Sequence, residues 1–167
     1  AIDKLVDFVS PTFGPKVRHV LVNMGYKFEL MDDGVAIARE FELEDEFEDA
    51  VIKYAIELAQ RTDDKAGDGT TTAVMIAGKL LENAEKLLDK KIHPTVITKG
   101  YRMASEKAQE ILNNIAMKIT PEDEDMLKQI AMTAMTGKGA EDSREWFADI
   151  IVRAVKQIEN NGKFDLN

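Results

Sequence analysis

Ala66-Gly67-Asp68-Gly69-Thr70-Thr71-Thr72 is the stretch whose reading decides what this chain is. Two glycines flank an aspartate where an apolar helical pattern begins, and three hydroxyls follow. Glycine lets backbone amides approach a ligand, a helix N-terminus offers unpaired N–H groups at the positive end of its dipole, and threonine hydroxyls add donors. Those are the parts of a phosphate cradle. An aspartate at the lip repels phosphate on its own, but becomes useful once Mg²⁺ bridges carboxylate and phosphate oxygens. A structural reading competes: Asp68 as the N-cap of the following helix, in a flexible turn. The residues alone leave the two readings level.

Outward from this stretch the pattern is mostly helical. Leu80, Leu81, Ala84, Leu87 and Leu88 carry the helix that starts at or just after Asp68 to Lys90 and Lys91, whose charge suits a helix C-terminus. On the N-terminal side Phe47, Ala50, Val51, Tyr54, Ala55, Leu58 and Ala59 share one face of another helix. Seven of the ten residues from Glu40 to Asp49 are acidic, which reads as a solvated helix start with favourable dipole charge. After His93-Pro94-Thr95, residues Val96, Ile97, Tyr101, Ala104, Ala108, Ile111, Leu112 and Ile115 predict a helix long enough to be a main core element.

The ends of the chain follow the same logic. Ile2, Leu5, Val6 and Val9 predict a short helix ending at Ser10-Pro11. Val20, Val22, Tyr26 and Phe28 around Asn23-Met24-Gly25 predict two short strands and a turn. Asp33-Gly34 opens a short helix over Val35 to Glu40, with Asp33 placed as its N-cap. Thr120-Pro121-Glu122-Asp123 reads as a new helix N-terminus with proline at the first helical position. Helices over Met126 to Ala134 and Trp146 to Ile158 follow, the second stopped by Asn160-Asn161-Gly162. Lys163 to Asn167 alternates weakly, as a strand whose partner is not in the chain. That loose end, and a first residue that is not methionine, suggest a piece of a longer protein.

Composition excludes several classes. The 167 residues are 44 % hydrophobic and 32 % charged, in the globular range and too apolar for a disordered tail. No cysteine is present, which removes disulfides, thiolate metal sites and thiol nucleophiles and points to a cytosolic location. A net charge of −9 argues against nucleic acid as a partner. No apolar run approaches the about 20 residues that a membrane helix needs, and the first ten residues lack a secretory profile.

Other site motifs fail. There is no Walker A loop: Gly137-Lys138 has Met132 where the first glycine belongs and Gly139 where serine or threonine belongs. A Rossmann fingerprint and EF-hand spacing are also missing, and His19 and His93 make no local metal motif. Pro11-Thr12-Phe13-Gly14-Pro15-Lys16 is a rigid turn able to line a base or sugar. Thr136-Gly137-Lys138-Gly139 sets a lysine in a loop between helices, where solvation is its ordinary fate.

Taken in order, Thr12 to Lys16, Asp33-Gly34, Gly67 to Thr72, Ile92-His93-Pro94-Thr95 and Thr136 to Gly139 resemble the motifs of the chaperonins. The resemblance covers essentially the whole chain. Ala73 to Leu112 and Ile130 to Ile151 look most like the archaeal thermosome, or group II, branch, whereas Asp33 to Asp49 looks more like the bacterial, group I branch. It implies a mainly α fold: residues 1–121 as the first part of an equatorial, ATP-binding helical bundle with a small β-hairpin, and residues 122–167 as the first part of an intermediate domain. It also implies ATP and Mg²⁺ as ligands, unfolded client proteins and sister subunits of a double ring as partners, and no nucleic acid or membrane.

Carried over by motif, Thr12, Phe13, Gly14 and Pro15 would line the nucleotide together with Gly34. Asp68 would hold Mg²⁺, and Gly69, Thr70, Thr71 and Thr72 would bind the phosphates. Asp33 would be catalytic, positioning the attacking water. Gly137 and Lys138 would sense the γ-phosphate and couple it to a hinge movement. Two departures bear on the nucleotide edge: Val17 stands where the family has glycine, and Met31-Asp32 where it has threonine with asparagine or lysine. The resemblance places a second catalytic aspartate beyond Asn167, so the segment is expected to lack a complete active site. The alternatives are a chaperonin-like module that binds or assembles without hydrolysis, and an unrelated phosphotransfer enzyme with a convergent Gly-Asp-Gly-Thr loop.

Overall fold

The computed structural model of the chain describes residues 1–14, 18–137, 139–160 and 163–164. The elements run α1 (Ile2–Val9), a 3-10 turn (Ser10–Thr12), β1 (Val20–Asn23), β2 (Phe28–Met31), α2 (Gly34–Arg39), α3 (Glu46–Ala66), α4 (Thr70–Asp89), α5 (Pro94–Ile115), α6 (Glu124–Ala134), α7 (Arg144–Gln157), β3 (Glu159–Asn160) and β4 (Lys163–Phe164). The architecture is mainly α with a small antiparallel hairpin, as expected. Among the described residues no helix is long and apolar enough to cross a membrane.

Two compact units divide the chain, Ala1–Glu106 and Lys107–Asn167. In the first, Leu5, Val9, Val35, Ile37, Ala38, Ile52, Ala55, Ile56, Ala59 and Val74 form one core from α1, α2, α3 and α4. Leu5, Ile37 and Ile52 are fully buried, each worth about 1.5–3 kcal/mol over exposure. Gly78 brings α4 against α1: a Cβ there would meet Val6 Cγ2 at 2.4 Å. In the second unit α6 and α7 pack together, with Ala148 and Val152 buried, and Lys128 and Lys156 on Asp149 and Glu124 at 2.6 and 2.5 Å.

Helix starts follow local chemistry. Asp45 caps α3, its Oδ1 accepting from Phe47 N–H at 3.0 Å and Glu48 N–H at 2.9 Å. Glu46, Glu48 and Asp49 fill the first turn, where the dipole favours anions. Four acids of the run thus form the helix start, and Glu40, Glu42 and Glu44 precede it. The Lys53 ammonium, then the Leu43 N–H, hold the Asp49 carboxyl below the ordinary range. The hairpin pairs Val20 with Met31 and Asn23 with Phe28, and Asn23 Oδ1 accepts from Gly25 N–H at 2.9 Å to shape the turn.

Four expectations need correction. The buried face of α3 is Ile52, Ala55, Ile56 and Ala59, while Phe47, Val51, Tyr54 and Leu58 are exposed. The helix is apolar on more than one side, and periodicity does not say which stripe gets covered. Helix α5 is no core element among the described residues: only Ile97 is buried, and Val96, Ile111, Leu112 and Ile115 stand exposed. Thr120-Pro121 is not a helix start, because Asp123 Oδ2 accepts from Thr120 N–H at 2.7 Å and closes a turn before α6. Finally, Lys163–Phe164 does have a partner in the chain, Glu159–Asn160, in an antiparallel pair.

Two stability outcomes follow from this packing. Asp45→Ala should cost about 0.5–2 kcal/mol in urea unfolding, since two α3 amides lose their acceptor; an unchanged midpoint would contradict the cap. Gly78→Ala gains about 1 kcal/mol of helix propensity but overpacks a stiff β-branched Val6, at about 1–3 kcal/mol. Net destabilisation is expected, relieved by adding Val6→Ala, and a stabilised single variant would show that α1 and α4 do not approach this closely.

Candidate functional site

Three turns far apart in sequence meet in the first unit. The first is the Ser10–Thr12 turn at the end of α1, where Thr12 is buried and its hydroxyl donates to Val9 O at 2.8 Å. Asp33-Gly34 at the start of α2 is the second, and Thr70 to Thr72 at the start of α4 is the third. Thr12 Oγ1 and Thr71 Oγ1 lie 3.1 Å apart. A Cβ on Gly34 would fall 2.1 Å from Thr71 Oγ1 and 3.4 Å from Thr12 Oγ1, so only glycine leaves room for both hydroxyls.

The loop between α3 and α4 is built on left-handed backbone. Gly67 ends α3 at φ +64°, donating its N–H to Asp63 O at 2.7 Å, and Gly69 precedes α4 at φ +80°. Side chains in that region cost about 1–2 kcal/mol, which explains glycine at both places. Asp68 between them is exposed and its Oδ1 accepts from Gly69 N–H at 2.6 Å. It is not the N-cap of α4: that position belongs to Gly69, and no side chain caps the helix. A 20-residue helix thus begins with first-turn amides that no side chain satisfies, beside a solvated carboxylate.

Asp33 does cap its helix. Its Oδ1 and Oδ2 accept from Val35 N–H at 3.4 Å and Ala36 N–H at 3.3 Å, long bonds that leave the exposed carboxylate with free lone pairs. Phe13 is half-exposed and Gly14 has a positive φ of 88°. Pro15, Lys16, Val17 and Lys138 lie outside the described residues. Thr136 Oγ1 donates to Met132 O at 3.1 Å at the end of α6, and Gly137 follows at φ +79°.

Each histidine has a polar neighbour of its own. His93 Nδ1 accepts from Thr95 N–H at 3.3 Å and lies 2.8 Å from Thr95 Oγ1, as a residue that shapes the entry to α5. His19 Nε2 is 4.0 Å from Asp32 Oδ2 beside the hairpin. Among the described residues no three acidic or histidine side chains gather into a metal cage. A single carboxylate suffices for Mg²⁺ when phosphates supply further oxygens, so the donor set at Asp68 fits Mg-nucleotide, not free cation. An open groove on α6 and α7 is lined by Glu124, Lys128, Trp146, Asp149, Val152 and Arg153. Two of its carboxylates are already paired, Asp149 with Lys128 and Glu124 with Lys156.

The Thr12–Thr71 contact escapes sequence reading: two threonines 59 residues apart carry no signal of mutual contact. Gly34 does carry one, since glycine inside a helix start invites the question of what comes close.

Comparison with known proteins agrees with these motifs. A family model described as the TCP-1/cpn60 chaperonin family matches residues 5–167. "Thermosome subunit beta" of Methanothermobacter thermautotrophicus is 48% identical over 162 residues, covering 96% of this chain and 29% of the relative. "Thermosome subunit" of Methanopyrus kandleri is 48% identical over 155 residues, 92% of this chain and 28% of the relative. "Thermosome subunit beta" of Archaeoglobus fulgidus is 47% identical over 166 residues, 98% of this chain and 30% of the relative, a match that takes in residues 33–49. The chain spans about three-tenths of the length of these curated relatives. With the family model matching nearly its whole length, the chain belongs to the TCP-1/cpn60 chaperonin family.

Proposed function

We propose that this chain carries the phosphate-binding half of a chaperonin ATPase site, and that its whole protein is a cytosolic, ring-forming subunit that folds client proteins with ATP. The observation that supports it is the uncapped start of α4, flanked by left-handed glycines and by Asp68, at the meeting point of three turns. Residues 1–121 serve as the first part of the equatorial domain and 122–167 as the first part of the intermediate domain.

Each residue then has a physical task. Thr12, Phe13, Gly14, Pro15 and Gly34 line the nucleotide, and the α4 start from Gly69 to Thr72 holds its phosphates. N–H groups there face accumulated negative charge in a helix dipole that favours it. Asp68 would hold Mg²⁺, which supplies charge neutralisation between phosphate oxygens. Asp33, with lone pairs to spare, orients a water for in-line attack on the γ-phosphorus. Gly137 and Lys138 report the γ-phosphate, a point charge at the end of a flexible stem. Sister subunits of a double ring and unfolded proteins are the partners. A binding or assembly module that does not turn ATP over is the second reading, motivated by the three-tenths span.

Titration calorimetry of the 167-residue chain with ATP tests the nucleotide site, and phosphate release by the assembled full-length protein separates the two readings. Mg-ATP should bind, and Asp68→Ala should weaken Mg-ATP by about ten- to hundredfold while changing Mg-free ATP little, as for loss of a bond to a charged group. No binding, or equal loss with and without Mg²⁺, contradicts the assignment of Asp68. In the assembled full-length protein Asp33→Ala should keep binding and lose phosphate release; undiminished release would remove Asp33 from the chemistry.

A further inference from the structure

The hydroxyl of Thr12 has one proton, and it goes to Val9 O at 2.8 Å, an atom that can only accept. Thr12 Oγ1 also lies 3.1 Å from Thr71 Oγ1, and a hydroxyl offers one donor and two acceptor sites. With the Thr12 proton committed, the proton shared by the two threonines comes from Thr71. Thr71 donates and Thr12 accepts. Gly34 closes the third side, where a Cβ would displace Thr71 Oγ1 from a distance of 2.1 Å. What Thr71 then presents to a ligand is lone pairs, which a phosphate oxygen repels.

We infer that Thr71 is a positioning residue of the nucleotide site and not a phosphate donor: its proton holds the Ser10–Thr12 turn against the first turn of α4. The inference rests on the nucleotide reading proposed above. It divides three threonines that the sequence presents as equivalent. Thr70 and Thr72 have side-chain hydroxyls with no hydrogen-bond partner among the described residues, so they, with the uncapped α4 amides, are the donors left for phosphate. Thr71 sets where those donors stand relative to the turn that carries Thr12, Phe13 and Gly14.

Two measurements on the 167-residue chain test this with Thr12→Val, Thr71→Val, the double variant and Thr71→Ser. In thermal unfolding without nucleotide, the double variant should lose little more than the worse single variant, because either change breaks the same bond. Additive losses overturn the bond. In Mg-ATP titration each valine variant should weaken binding about 2- to 12-fold, the range for one neutral hydrogen bond, and the double no further, while Thr71→Ser restores affinity. A double variant weaker by the product of the two factors shows Thr71 donating to phosphate and overturns the positioning role. A wild-type chain that binds no Mg-ATP overturns the nucleotide reading and this role together, and the unfolding cycle, which needs no nucleotide, shows whether the bond itself was also wrong.

Discussion

A missing methyl group organises the first unit. Gly34 has no Cβ, and the hydroxyl of Thr71 occupies the space one would fill, within reach of Thr12. Because Thr12 closes the turn that follows α1, Gly34 begins α2 and Thr71 lies in the first turn of α4, that contact ties three backbone turns together. The apolar core beneath them, with Leu5, Ile37, Ile52 and Val74 fully or almost fully buried, packs the same three helices together with α3. A second close approach, Gly78 on Val6, repeats the device further along α4. Helix ends are thus held from both sides, and ends are where unpaired amides point.

Electrostatics then separates a site from a surface. The chain carries a net charge of −9, and repulsion of polyanions is its general behaviour. An α4 start without a capping side chain is a local exception, since the amides of the first turn lack acceptors and the dipole adds partial positive charge. Contrast α3, where Asp45 takes two amides and three acids fill the first turn. The two helix starts are chemically opposite. One is closed by its own side chain, and the other is left open beside a carboxylate suited to Mg²⁺.

Much of this was legible in the residues. Helices α1, α3, α4, α5, α6 and α7, the hairpin, and the cap at Asp33 all follow from periodicity, β-branched clustering and cap chemistry. What was not legible is which of two apolar stripes on α3 is covered, because Val51, Tyr54 and Leu58 repeat as regularly as Ile52, Ile56 and Ala59. Helix α5 shows the same limit: regular apolar spacing marks a helix without supplying the surface it packs on. The Thr120-Pro121 pair looked like a helix start because proline suits that position, yet Asp123 takes the Thr120 amide and delays the helix to Glu124. At the site, Gly67, Asp68 and Gly69 were readable as a special loop, while the competing reading of Asp68 as the helix cap needed the observed backbone, which puts Gly69 at that position.

The central claim is that three sequence-distant turns make one phosphate site. Backbone amide shifts of the labelled 167-residue chain, recorded as Mg²⁺ and a non-hydrolysable ATP analogue are added together, address it residue by residue. The account predicts that the largest changes fall together on Gly14, Gly34, Gly69, Thr70 and Thr72, saturating with one dissociation constant. Changes centred instead on the α6–α7 groove at Trp146, or confined to one of the three turns, would contradict it.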